Sequence, residues 1–176
     1  MRKGMDTVKV KDKDALKHEL SNCEKVGKEL FEQGEKYRKD VETIEKEMER
    51  VKNSGLSETD KKNFLGALEI SKELTQVEYQ EKVEKPQEEV QDYMQLNLDE
   101  TQEQIGELEA TEECLNEMTM EGMEKERTLG AMMTDVQSQK QAFETMKTEY
   151  LEKLNLQMEQ AKIQKQNIFK KQLSGR

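Results

Sequence analysis

Residues 16–51 read LKHELSNCEKVGKELFEQGEKYRKDVETIEKEMERV, and eleven positions in this stretch keep an unbroken seven-residue beat. They are Leu16, Leu20, Cys23, Gly27, Leu30, Gly34, Tyr37, Val41, Ile44, Met48 and Val51. The steps alternate four and three residues, which lays one narrow stripe along a single helix face, the seam of a coiled coil or bundle. Such a helix cannot bury its seam alone, so the chain must fold back on itself or meet a partner. The expected fold class is all-α: an elongated antiparallel helical bundle or coiled coil of three to four long helices, opening with an αα-hairpin. Gly27 and Gly34 sit on the seam one heptad apart, and each costs about 0.5–1 kcal/mol against Ala in a helix interior. They read either as tolerated weak spots or a gentle bend, or as a close crossing where a bulky partner side chain or a backbone needs the space.

Outward from this stretch, Asn53-Ser54-Gly55 is the strongest turn signal in the chain. Ser57 follows as an N-cap, and Glu58 and Asp60 suit the positive end of a new helix. A hairpin this short makes the first two helices antiparallel neighbours. The second helix carries Phe64, Leu65, Ala67, Leu68, Ile70, Leu74 and Val77, a stripe wide enough for a multi-helix core. Pro86 then predicts a kink or a break, since it lacks the N–H of an interior helical residue. Val90, Met94, Leu98, Thr101, Ile105, Leu108 and Leu115 continue the pattern, and Gly122 is the first choice for a second reversal, ahead of Asp99 and Gly130. The last stripe is Phe143, Met146, Tyr150, Leu154, Met158, Ala161 and Ile168. The expected layout is a disordered tail over 1–11 and one helical domain over 12–173. Its helices are expected at about 12–53, 57–84, 87–121 and 123–173, with the C-terminal residues Leu173–Arg176 fraying.

Composition fits this picture. Of 176 residues, 39% are charged and 32% hydrophobic, with no Trp and one Pro. An average globular domain is about 45–50% apolar. Elongated helices explain both the polarity and the periodicity, because each buries a thin stripe and leaves its other faces wet. No apolar run approaches the roughly 20 residues that span a bilayer. Met1–Lys11 lacks the apolar core of a Sec-type signal peptide. A cytoplasmic location is therefore the default expectation, with export by a non-Sec route as the alternative. Cys23 and Cys114 are too few for a disulfide framework. Cys23, on the seam, reads as a small buried hydrophobe.

The formal charge is −10, which argues against binding the nucleic-acid backbone or an anionic membrane surface. It is unevenly spread: residues 86–124 contain thirteen acids and no base, whereas 127–176 contain nine bases and five acids. If the chain turns near Gly122, Lys140, Lys147, Lys153 and Lys162 approach the acidic tract.

No catalytic, cofactor-binding or metal-ligating residue stands out, and no cofactor is expected. His18 is the only histidine, and Ala15 occupies the position where a Glu-x-x-His di-metal motif needs its glutamate. Glycine-rich phosphate loops, EF-hand loops, HExxH and CxxC are all absent. Enzymatic function is not expected. The leading expectation is a non-enzymatic helical interaction protein, an adaptor, scaffold or assembly subunit. Its partners would be other proteins or copies of itself, engaged through helices. Met118, Met120, Met123, Met132 and Met133 form a pliable candidate partner surface, since Met adapts to varied shapes. In size, helicity and polarity the chain also resembles helical accessory proteins of type VII secretion, which implies a secretion accessory or chaperone. The Trp-x-Gly turn of that family is absent, and Tyr37, Tyr79, Tyr93 and Tyr150 are not followed four residues later by an acid. A third class is a membrane-associated module, through the basic amphipathic end formed by Lys162, Ile163, Lys165, Ile168, Phe169, Lys170 and Lys171.

Overall fold

A computed structural model describes residues 12–120 and 126–170. Four α-helical segments follow one another: α1 (Lys13–Lys52), α2 (Glu58–Tyr79), α3 (Lys85–Met120) and α4 (Glu126–Ile168). A π-turn, Gln80–Glu84, joins α2 to α3 without leaving helical backbone geometry, so the chain forms three long helices and an all-α bundle. No strand occurs among the described residues. The expected tail 1–11, the reversal at Gly122 and the fraying end Leu173–Arg176 lie outside the described residues.

The first turn is built as its residues dictate. Ala15 N–H donates to Asp12 Oδ1 at 2.7 Å at the start of α1. At the other end Ser54 Oγ donates to Val51 C=O at 2.7 Å, tying down a terminal carbonyl. Ser57 caps α2 by accepting from Asp60 N–H at 3.1 Å.

Of the two outcomes expected at Pro86, a kink or a break, the break between helices 57–84 and 87–121 does not occur, because helical backbone runs on through Gln80–Glu84 into α3. Proline cannot donate to the carbonyl four residues back, and its ring crowds that carbonyl. The helix absorbs both problems by widening for one turn, so that Lys85 N–H donates to Gln80 C=O five residues back. The extra residue rotates the faces that follow. Tyr79, Val83 and Gln87 are buried at successive steps of four, and the ordinary seam resumes at Met94, Leu98, Thr101 and Ile105.

The chain packs as two compact units. In the first, the chain up to Glu24 joins Asp92–Asn155. Lys147 bonds Gln102 and Lys140 bonds Glu112, so partners climb one helix as they descend the other and α3 and α4 are antiparallel. Ser21 pairs with Tyr150 at 2.6 Å and Glu24 with Lys153 at 3.1 Å, both at an offset of 129, so α1 runs parallel to α4. Leu16, Leu20 and Cys23 fill this unit's core along with Met94, Leu98, Ile105, Phe143, Met146, Tyr150 and Leu154. Leu115, Leu129 and Val136 form a separate cluster with Leu108, Met118 and Met133 against it.

The second unit joins Lys25–Gln91 to the chain from Leu156 onward. Tyr37 meets Tyr79 edge-on with ring centroids 6.3 Å apart, and Lys72 pairs with Glu45 at 3.2 Å, so α1 and α2 form the expected antiparallel hairpin. α4 enters parallel to α1, and its seam turns polar here. The expected seam residue Met158 is 48% exposed, and Gln157 and Gln164 turn inward instead. Each glutamine occupies the space that a Cβ would need at Gly27 and Gly34 respectively. The glycines are therefore the close-crossing kind. Gln164 is only 2% exposed, and its amide donates to Phe31 C=O and to Glu35 Oε2, both at 2.9 Å. The Tyr79 hydroxyl donates to its Oε1 at 3.4 Å. Every polar demand of this inserted side chain is met, which a buried amide requires.

Gly34→Leu should cost about 1–3 kcal/mol, because the new side chain and Gln164 compete for one volume. The double variant Gly34→Leu/Gln164→Ala should be more stable than Gly34→Leu alone. Gly66, with open space where its Cβ would lie, should instead gain roughly 0.5–1 kcal/mol on change to Ala. Urea denaturation of the three variants checks this. A double variant no better than Gly34→Leu would sink the close-crossing reading.

Candidate interaction surface

The eleven-residue seam of α1 faces inward along its length. Leu16, Leu20, Cys23, Gly27, Gly34, Val41 and Val51 are buried, and Leu30, Tyr37, Ile44 and Met48 are half-buried. It is an internal packing surface of the bundle.

The wide stripe expected on α2 divides between two opposite faces. At about 100° per residue, Leu65, Leu68, Lys72 and Tyr79 fall on one side, and Ala67, Ile70, Leu74 and Val77 roughly 180° away. The first group faces the bundle: Leu65 and Leu68 are half-buried, and Lys72 and Tyr79 are buried. The second group does not enter the core. Ile70 is 60% exposed, Leu74 65% and Val77 50%, with Phe64 at the edge of the stripe at 53%. The expectation that these residues serve a multi-helix core is thus corrected: the bundle meets only the inner side of α2. The last helical residue of α4, Ile168, packs with Val41 and Tyr79, and its carbonyl accepts from Gln76 Nε2 at 2.9 Å. Nearer the hairpin turn, α2 lies along α1, and one neighbour covers one face.

A heptad frame makes the outer face explicit. With Ala67 and Leu74 at a, and Ile70 and Val77 at d, Lys72 and Tyr79 occupy f, the position opposite a seam, where both are buried against the bundle. Glu73 is at g and Glu78 at e, both exposed. Asp60 and Glu81 occupy the a positions one heptad before and after, so acids bound the apolar stripe at either end. Glu78 is shared with Lys82 at 3.2 Å, whereas Glu73 has no ion-pair partner among the described residues. Lys72, the nearest cation along the helix, is turned inward to Glu45. The stripe is consequently apolar in its middle and negative around its rim.

The other surfaces expected from the sequence are placed as follows. Met118 and Met133 pack against the Leu115 cluster, while Met120 and Met132 are exposed; Met123 lies outside the described residues. The basic amphipathic end is largely used within the second unit. Phe169 packs on Tyr79, Ile168 is buried, Lys165 reaches Glu84 at 2.6 Å and Lys170 reaches Glu45 at 3.8 Å. Of the lysines expected to clasp the acidic tract, Lys140 does so, at 3.1 Å from Glu112 and 3.8 Å from Glu109. Lys153 turns to Glu24 of α1 instead, and Lys147 bonds the neutral Gln102. Cys23 is buried and Cys114 exposed, as free thiols. A cavity of about 240 Å³ lies over Gly27, flanked by Phe31, Gln87, Gln91 and Gln160. Among the described residues no cluster of His, Cys, Asp and Glu is arranged to hold a metal, and no helix is long and apolar enough to cross a membrane.

No family model, curated protein sequence or solved structure matches the chain.

The electrostatics of the second unit centre on Glu35. Burial works against its charge, but hydrogen bonds from Gln164 and Arg38, with the Arg38 and Lys39 charges, outweigh it and hold the carboxyl below its ordinary value. Burial pushes the Tyr79 phenol up, helped by Glu84 and Glu35, so the ring keeps its proton and stays a donor. A carboxyl whose folded pKa is depressed adds stability that is complete above its unfolded value and is lost as pH falls through the folded one. Glu35→Gln should therefore flatten the acid side of the stability profile below about pH 5. Thermal melts from pH 7 downward check this, and an acid limb as steep as the parent's would count against the role of Glu35.

Proposed function

We propose that the chain is a non-enzymatic helical interaction protein, an adaptor, scaffold or assembly subunit. The observation that supports this reading is the second apolar stripe of α2. Soluble helices place one apolar stripe toward a core and keep the opposite face polar. α2 has two, and the outer one is a run of large side chains at heptad spacing. Scattered exposed apolar residues are ordinary, but a contiguous set at helical spacing marks a surface that another element covers. Recognition of this kind is helix against helix, with anchors at i, i+3, i+4 and i+7.

Two measurements test the reading. Ile70→Ser and Leu74→Ser should each change stability by only about 0.5 kcal/mol, as surface sites do, whereas Val41→Ser in the core should cost several-fold more. A photo-crosslinking residue at position 70 or 74, in the cells that make the protein, should give a discrete protein adduct, and the same residue at the exposed Glu49 should not. Large destabilisation by the serine variants would show that the stripe is structural. Absence of an adduct at 70 and 74 would defeat the interaction role.

A further inference from the structure

We infer that the outer stripe of α2 docks an amphipathic helix of a different protein whose seam is flanked by lysine or arginine. The inference rests on the interaction reading above and names the chemistry of the partner. Charge at the rim carries it. In helix pairing, the residues at e and g lie beside the seam and decide which partner is accepted. On this face the charged residues at those positions are Glu73 and Glu78, and Asp60 and Glu81 stand at the two ends. Gly66, Ser71 and Gln80 fill the other flanking positions beside Phe64 and bring no cation. The neighbouring cations do not restore neutrality. Lys72 is held inside by Glu45, and Lys82 is one charge shared with Glu78. Lys61 lies 4.0 Å from Glu58, and Lys62, at c, balances Asp60 at one end but lies outside e and g. The uncompensated charge beside the seam is therefore that of Glu73.

The same geometry disfavours a second copy of the chain. Two α2 helices paired in parallel bring g of one beside the following e of the other, so Glu73 meets the second copy of Glu78. Paired antiparallel about the centre of the stripe, g meets g, and Glu73 faces its own copy. Either arrangement sets like charges beside the seam, the standard means by which helices reject a partner. A helix with Leu, Ile or Val at a and d and Lys or Arg at e and g meets the opposite situation in both orientations. The stripe from Phe64 to Val77 spans about two heptads, roughly 20 Å of helix. Such a contact is short, so the flanking charges make up a large share of the discrimination.

The test uses the full chain and two synthetic three-heptad peptides, both with Leu at a and d. One carries Lys at e and g, the other Glu. Binding is read by fluorescence anisotropy at low and moderate salt. The Lys peptide should bind at least about tenfold more tightly than the Glu peptide, and the gap should narrow with salt. Glu73→Lys/Glu78→Lys should invert the preference. Ile70→Asp/Leu74→Asp adds negative charge to the same face and should nevertheless abolish binding of the Lys peptide. Retained binding in that variant would mean attraction to the acidic chain at large, and the inference falls. If both peptides bind equally and both are lost with Ile70→Asp/Leu74→Asp, the stripe docks helices but the basic partner is wrong. If neither peptide binds, the interaction reading fails with it. Sedimentation of the chain alone supplies the remaining arm: a dimer that Ile70→Asp/Leu74→Asp dissolves would make a second copy the occupant and overturn the proposal.

Discussion

The insertion of Gln164 against Gly34 is the constraint on which the second unit turns. A glutamine can lie flat against a helix only where the facing residue has no side chain, and it stays buried only if its amide is fully hydrogen-bonded. Phe31 C=O, Glu35 and Tyr79 supply those partners in one place. A slip of α4 by even one residue along α1 would strand a buried amide against a methylene or a carbonyl, at a cost of about 1–3 kcal/mol. The contact therefore fixes the register of α4 on α1. Register in turn fixes where the last turn of α4 falls, which is beside Val41 and Tyr79. The contacts of Gln164 and Ile168 with Tyr79 both fall on the inner face of α2, and the opposite face, with Ile70, Leu74 and Val77, stays exposed.

Much of this was legible in the residues. The heptad beat of α1 gave the inward face position by position, from Leu16 to Val51. Asn53-Ser54-Gly55 with Ser57 gave the hairpin, because caps and tight turns are local chemistry. The close approach at Gly27 and Gly34 was visible as one of two readings, since glycine on a seam is either a defect or a vacancy for something. What filled the vacancy was not legible. Gln157 and Gln164 are polar, and a search for apolar periodicity passes over them in favour of Met158, one residue away. The α2 stripe failed for a different reason. Apolar residues at 64, 65, 67, 68, 70, 74 and 77 cover both sides of a helix, and a sequence does not state how many neighbours the helix has.

Pro86 shows how a local rule holds while its usual consequence does not. Proline forbids the ordinary bond at its own nitrogen, and a break is the common outcome. Here Tyr79 and Val83, both fully buried, anchor the turn just before it, and Met94 and Leu98 anchor the helix after it. Each set is packed in its own unit, and the helix runs on between them. A single widened turn keeps both, and requires only a change of bonding from four residues to five.

The two faces of α2 differ in how they choose their neighbours. The inner face carries polar layers: Lys72 needs Glu45, and Tyr79 needs a hydrogen-bonding partner such as Gln164. Such groups add little net stability and penalise any arrangement that leaves them unpaired, so they specify one register. The outer seam has no polar layer between Ala67 and Val77. Its apolar side chains would accept several registers of an incoming helix with similar energy. Discrimination on that face consequently falls to its rim, where the charged residues, Glu73 and Glu78 beside it and Asp60 and Glu81 at its ends, are all acids. A chain whose inner seam is defined by buried polar contacts cannot exchange its inner face for its outer one. The helix is committed to the bundle on one side and exposes an apolar stripe on the other.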